Sequence, residues 1–504
     1  MMTPLTALTD ASGGDSGPME NNNKIVATPA RCADEDLLVY TAARQLAGDL
    51  ASGNLSAREL MSAYLDRIAA CNPIVNAICT LLPTNQALQL ADAADQHRLA
   101  GGTLGPLHGL PIAVKDLSAT RGMRTTMGSP IFANHVPDED SLLVGRLRAA
   151  GALVIGKTNT PEFGTGSHTF NPIFGITRNP YDRGKTAGGS SGGAAAALAC
   201  GMLPVADGSD MGGSLRNPAA FCNVVGFRPS LGRVPTWPNA MAWQSRLGVE
   251  GPMARNVADC ALLLSVLAGP DERDPLSLQD DPARFREDLQ HDFGGARIGW
   301  TPDLGILPVA REVAAICAGT LPVWESLGFH VDAACPNLAG AMDTFKTLRA
   351  AFYAQFGAPL LLDHRSLMKD TVIENIEAGL KLAATDITAA DARRTRLYLD
   401  VLTFFETHDF LVLPSTQVQP FPVETEWVRE IEGEAMDSYL DWMSICCIIT
   451  VFGLPAISVP CGFTRAGLPV GIQIVGRPRA DLAVLRAAYA LEQATGYGMR
   501  RPPL

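Results

Sequence analysis

The sequence predicts an α/β fold in which helices flank both faces of a mixed sheet. Three observations carry that expectation. Helical patterns alternate with short apolar runs along the chain, the signature of a layered α/β arrangement. The 504 residues are 47% hydrophobic and 18% charged, ample material for a buried core. Strand-like runs also return near the C-terminus after a long stretch of different composition.

The elements follow in order. Residues 1–33, with DASGGD at 10–15 and three asparagines at 21–23, read as a flexible tail. No basic segment followed by an apolar one occurs there, so secretion is not supported. From Glu35 to Ala51 the apolar positions Leu38, Ala42, Leu46 and Leu50 fall at helical spacing. Ser56-Ala57-Arg58-Glu59 is a capping-box signature for a helix through about Cys71, expected to stop before Pro73. Residues 76–82 and 110–115 read as strands, 141–150 as a helix closed by Gly151, and 152–155 as a buried strand. A small-residue helix is expected over 193–200, stopped by Gly201, and a strand over 203–206. Between about 270 and 435 charge increases and helical patterns lengthen, with Trp324 and Trp427 included, which predicts a helical cap over one end of the sheet. Strands at 411–413, 456–460 and 471–475 and a helix near 480–494 complete the chain.

Bulk properties narrow the function. The net charge of -12 and the lack of a basic stripe argue against nucleic-acid binding. The longest apolar run, 445–452, is too short to span a bilayer. Eleven cysteines without a CxxC pair suit buried thiols in a reducing cytoplasm. Eight scattered histidines without HxxxH or HxH spacing indicate no metal site.

Two motifs match and fail on context. GALVIGKT at 151–158 fits a phosphate-loop pattern. Its middle residues form a strand where a loop of N–H groups is required, so Lys157 reads as a structural lysine. Gly188-x-Ser190-x-Gly192 fits the nucleophile elbow of α/β-hydrolases. That elbow needs a buried strand directly before it, whereas NPYDRGKT precedes this one.

What survives is a lysine after an apolar strand and two glycine–serine clusters. Lys115 ends LPIAVK, where removal from water would lower its pKa and free it to act as a base. A lysine paired with Asp116 is the plainer reading of that position alone. GGSSGG at 188–193 and GSDMGGS at 208–214 each suit a tight turn. Taken together they also supply hydroxyls and N–H groups that can converge on one reacting oxygen.

These stretches resemble the amidase signature family of serine hydrolases: GLPIAVKD at 109–116, GGSSGG at 188–193 and GSDMGGSLRNPA at 208–219. Further matches occur in order at 156–167, 171–182, 225–235 and 467–478. Ser190 and Ser214 stand 24 positions apart, the spacing of that family. Met211 departs from the Thr or Ile that many relatives carry.

The resemblance implies a mixed, mostly parallel twisted sheet flanked by helices, with 34–504 as one amidase domain that includes the cap. It implies Ser214 as nucleophile, Ser190 as a relay serine after a cis peptide, and Lys115 as the neutral base. The N–H groups of Met211, Gly212, Gly213 and Ser214 would form the oxyanion hole. Ser191, Asp210 and Arg216 would support it, Arg216 by pairing with a buried carboxylate. Gly164, Thr165, Gly166, Trp427, Tyr439 and Trp442 are the candidate pocket wall.

The expected activity is hydrolysis of acylamides, including aryl acylamides, through an acyl-enzyme and without a cofactor. Carbamate (urethane) hydrolysis on the same triad is one alternative. A transfer-RNA-dependent amidotransferase A-type subunit is another, though the cap shows no tyrosine- and glycine-rich stretch of that branch. The partner expected is a small amide or carbamate, with no nucleic acid or membrane, and a homodimer is allowed.

Overall fold

Helix-forming segments open the chain as the periodicity predicts, with two adjustments. A computed structural model describes residues 33–244 and 247–504, so the tail expected over 1–33 lies outside the described residues apart from Ala33. The single helix expected over 35–51 is two helices, Ala33–Tyr40 and Ala43–Ser52. The break falls at Ala42, whose extended backbone interrupts the helical ladder, and Asp259 accepts hydrogen bonds from the N–H groups of Ala43 and Arg44. The next helix, Ala57–Val75, does carry the predicted capping box at Ser56 and Glu59. It runs through Pro73 rather than stopping before it. Pro73 lies in the last turn and withdraws only its own N–H from the ladder, and the helix continues two residues past it. Asn76 in the left-handed region then closes the helix, and Asn72 Oδ1 accepts from the N–H groups of Ala77 and Ile78.

The larger sheet has eight strands in the spatial order His330–Ala333, Arg297–Trp300, Phe410–Pro414, Pro469–Gly476, Ala456–Phe463, Val225–Arg228, Val249–Ala254, Val205–Asp210. It is mixed and flanked by helices, as expected, but antiparallel pairs outnumber parallel ones. Only the pairs joining 330–333, 297–300 and 410–414 run parallel. The rest are antiparallel, including Ala456–Phe463 with Pro469–Gly476, which a short turn connects. A three-stranded sheet of Ile78–Leu81, Leu153–Thr158 and Pro111–Lys115 lies beside the Val205–Asp210 edge. Lys115 N–H reaches across to Asp207 Oδ1 (3.0 Å).

The 270–435 segment is less uniformly helical than its composition suggests. Arg297–Trp300 and His330–Ala333 are strands of the main sheet, and the long helices occupy Ala341–His364, Asp370–Leu380 and Ala384–Thr407. The short parallel strands escape notice in the sequence because four residues are too few to show a period. No helix among the described residues is long and apolar enough to cross a membrane.

One helix positions the site. Gly192–Ala199, composed of GGAAAALA, is buried along its whole length. Its small side chains allow a close approach to neighbouring backbone: a Cβ at Gly193 would stand 2.3 Å from Asn159 N. That approach brings Ser190 and Ser191, at the start of the helix, against the end of the Pro111–Lys115 strand.

Candidate active site

Lys115 is buried at the end of its strand with 1% of its surface exposed. Its Nζ lies 2.8 Å from Ser190 Oγ, 2.9 Å from Ser191 Oγ and 3.0 Å from Ser209 Oγ. Among the described residues no carboxylate pairs with this nitrogen. Burial lowers its pKa to about 7, against the weaker opposing pull of Asp207, Asp210 and Glu250. A neutral amine has two N–H groups and one lone pair. Three hydroxyls around it therefore fit two donated bonds and one accepted bond. The pairing with Asp116 open at the level of sequence is absent: Asp116 instead accepts from Thr126 N–H and Thr126 Oγ1.

The peptide between Gly189 and Ser190 is cis. Ser190 and Ser214 border one cavity of 310 Å³. Ser191 N–H donates to Ser214 O (3.2 Å), which ties the two glycine–serine loops together. Gly164, with φ +69°, passes close to Ser190: a Cβ there would lie 3.4 Å from Ser190 Oγ and 3.0 Å from Leu117 Cδ1.

Beyond the Val205–Asp210 strand the backbone turns sharply at Met211–Ser214, with Gly213 at φ +101°. Asp210 organises this turn. Its carboxylate accepts from the N–H groups of Gly213 (3.0 Å) and Leu215 (3.1 Å), and from Arg216 and Arg228. Burial alone would raise the Asp210 pKa, but the two guanidinium groups outweigh it and hold the carboxyl well below its usual range. Arg216 thus meets the buried carboxylate expected for it, and also bonds Gln473 Oε1, Cys446 O and Thr450 Oγ1.

Of the four N–H groups expected to face a reacting oxygen, that of Gly213 is already committed to Asp210. Among the described residues nothing accepts from those of Met211, Gly212 and Ser214.

The pocket wall differs from expectation. Gly164 borders the cavity, but Gly166, Trp427, Tyr439 and Trp442 line a separate crevice with His168 and Lys369. Thr165 is buried and bonds Tyr353 through its hydroxyl (2.8 Å). Tyr439 is turned toward Arg349 and Asn375. The cavity is bounded instead by Leu117 and Phe163, by parts of 236–250, and by Leu348, Arg349, Phe352 and Tyr353 of the Ala341–His364 helix. Nothing in the local sequence signals these. Sequence reasoning also misses Ser209, although alternation along its strand puts it two residues from Asp207, the neighbour of Lys115.

The amidase family model matches residues 59–485. An acylamidase of Rhodococcus erythropolis is 37% identical over 471 residues, covering 93% of this chain and 98% of that protein. The A-type subunit of the glutamyl-tRNA(Gln) amidotransferase of Moorella thermoacetica is also 37% identical, over 497 residues, covering 93% of this chain and 99% of that protein. The solved structure of a bacterial aryl acylamidase of the amidase signature family superposes with a TM-score of 0.84 at 31% identity. It covers 91% of this chain and 97% of the other.

Proposed function

The chain belongs to the amidase family and is an amide-hydrolysing enzyme, and from that premise we propose that it cleaves acylamides through Lys115, Ser190 and Ser214. The observation that carries this reading is the buried Lys115 amine, ringed by serine hydroxyls and with its pKa lowered to about 7. Near neutral pH a large share of it is unprotonated and able to act as a base.

In the proposed sequence, Lys115 Nζ accepts the proton of Ser190 Oγ while Ser190 Oγ takes that of Ser214. Ser214 Oγ forms a bond to the amide carbon, and the carbonyl π pair moves onto oxygen. N–H groups of Met211, Gly212 and Ser214 stabilise the resulting negative charge. Gly213 N–H, committed to Asp210, shapes the turn rather than facing the substrate. When the C–N bond breaks, the departing nitrogen takes a proton from the Lys115 ammonium through Ser190, leaving an ester on Ser214. Water adds to that ester with its proton passed to Lys115. Collapse returns a proton to Ser214 and frees the acid.

The apolar side chains Leu117, Phe163, Leu348 and Phe352 around the cavity favour an aryl or aliphatic group on the substrate. The similarity to the acylamidase supports the same class. Carbamates fit the same acyl transfer. The similarity to an amidotransferase component supports a second reading, in which the amide is an ammonia source for partner proteins. Release of amine from simple anilides by the isolated chain separates the two.

The deciding experiment combines that assay with intact-mass detection of an acyl adduct. Ser214→Ala is expected to lose both the adduct and about 10⁴-fold or more of the rate. An active Ser214→Ala enzyme would overturn the assignment.

A further inference from the structure

Arg349 stands at the cavity wall with a charge that no carboxylate among the described residues neutralises. It lies on the Ala341–His364 helix, borders the same cavity as Ser190 and Ser214, and is only 4% exposed. A buried cation is costly unless an anion or a full set of acceptors compensates it. Among the described residues no carboxylate reaches this guanidinium. Its partners are all neutral: Nη2 donates to Tyr353 OH (2.9 Å) and Tyr439 OH (2.7 Å), and the Tyr353 ring centroid lies 4.3 Å from Cζ. Nε has no partner. Nη1 donates to Met211 Sδ (3.0 Å), a thioether and thus a weak acceptor.

The contrast with Arg216 and Arg228 is instructive. Those two buried guanidinium groups share the Asp210 carboxylate. Arg349 has the burial and the positioning of a paired arginine but lacks the pair. Glu250 also borders the cavity, yet it lies opposite Ser209 in the neighbouring strand and does not pair with Arg349.

We infer that Arg349 is the specificity-determining residue for an amide substrate that carries a carboxylate, which displaces Met211 Sδ from Nη1. Methionine suits that place because its unbranched side chain moves at little cost. The carboxylate exchanges a weak sulfur contact for a charge-assisted hydrogen bond. Met211 also begins the turn that leads to Ser214, so the anion is held close to the reacting carbonyl. This inference rests on the acylamide hydrolysis proposed above and narrows its substrate class.

Two matched pairs of anilides test it, each read by release of the aniline. N-Phenylsuccinamate against butyranilide places the charge on the acyl side. 4-Acetamidobenzoate against 4-methylacetanilide places it on the amine side. Wild-type enzyme is expected to prefer the charged member of one pair by about tenfold or more in kcat/KM, carried by KM, and the pair that responds fixes the side.

In Arg349→Met that ratio is expected to collapse toward one. In Arg349→Lys, which keeps the charge but loses the planar fork, it falls part of the way. A wild-type preference for the neutral member in both pairs overturns the inference even if neither variant folds. So does an unchanged ratio in folded Arg349→Met. Failure of the underlying function has a different signature: no anilide of either kind is cleaved, or cleavage survives Ser214→Ala.

Discussion

Lys115 and Lys157 occupy nearly the same structural position and meet different fates. Both lie at or near the ends of adjacent parallel strands, Pro111–Lys115 and Leu153–Thr158, and both are buried. Burial depresses both, Lys115 to about 7 and Lys157 to about 8. What separates them is the chemistry of their partners. Lys157 Nζ donates to Ser118 O (2.5 Å), Thr120 Oγ1 (2.9 Å) and Thr125 Oγ1 (3.2 Å), and Asp116 is the leading influence opposing its depression. The carbonyl has no proton to give, and the two threonine hydroxyls already donate theirs to backbone carbonyls, Thr120 Oγ1 to Ser118 O (3.1 Å) and Thr125 Oγ1 to Met123 O (3.1 Å), so that arrangement can only receive. Lys115 faces three serine hydroxyls, and two of them, Ser190 and Ser209, border the cavity. A depressed lysine is therefore not a base by virtue of its pKa alone; it needs a neighbour whose proton it can take.

The strongest way to break this comparison is to remove both amines in turn. Lys115→Met is expected to lower kcat by about 10²–10⁴-fold while the protein stays folded, measured by anilide turnover alongside thermal unfolding. Lys157→Met should do the reverse. It leaves Ser118 O and two threonine hydroxyls without their donor at a cost of about 1–3 kcal/mol, seen as a lower Tm, with kcat of the folded enzyme little changed. Equal catalytic losses in the two variants would erase the distinction.

The pH profile sharpens it. The proposed mechanism requires neutral Lys115, so kcat/KM should fall about tenfold per pH unit below about 7 and level off above it. A profile flat from pH 5 to 8 would contradict a base titrating there. The smallest effect is expected from Ser209→Ala. Losing one acceptor of the lysine N–H groups disfavours the charged form, so the midpoint should shift downward, by up to about one pH unit. An upward shift would mean that Ser209 holds the lysine neutral instead.

The chemistry of the site is more legible in the sequence than its shape. Lys115, Ser190, Ser191, Asp210 and Ser214 stand in short glycine-rich stretches whose spacing is itself informative. The cavity wall is assembled from segments far apart in the chain, and nothing local marks Arg349 on an otherwise ordinary helix. Trp427, Tyr439 and Trp442 are natural candidates as large aromatics near the C-terminal strands. All three pack into the second hydrophobic cluster and a side crevice instead, because burying so much apolar area against the protein outweighs leaving it at a cavity. The fold class is readable from alternation. Strand direction is not, since a four-residue apolar run looks alike in parallel and antiparallel pairs.

The Asp210 cluster has a consequence for how this enzyme can change. The turn that carries Ser214 is anchored through Arg216 to Gln473 and Thr450 and through Arg228 to Leu247 O. Most of those anchors come from the sheet and from the helix behind it, whereas much of the cavity wall comes from 236–250 and 348–353. On the proposed function, chemistry and selectivity are thus largely written in separate parts of the chain. Leu348 or Phe352 can be exchanged without touching the framework that holds Ser214, while Leu247 both lines the cavity and accepts from Arg228, so a change there disturbs the two together.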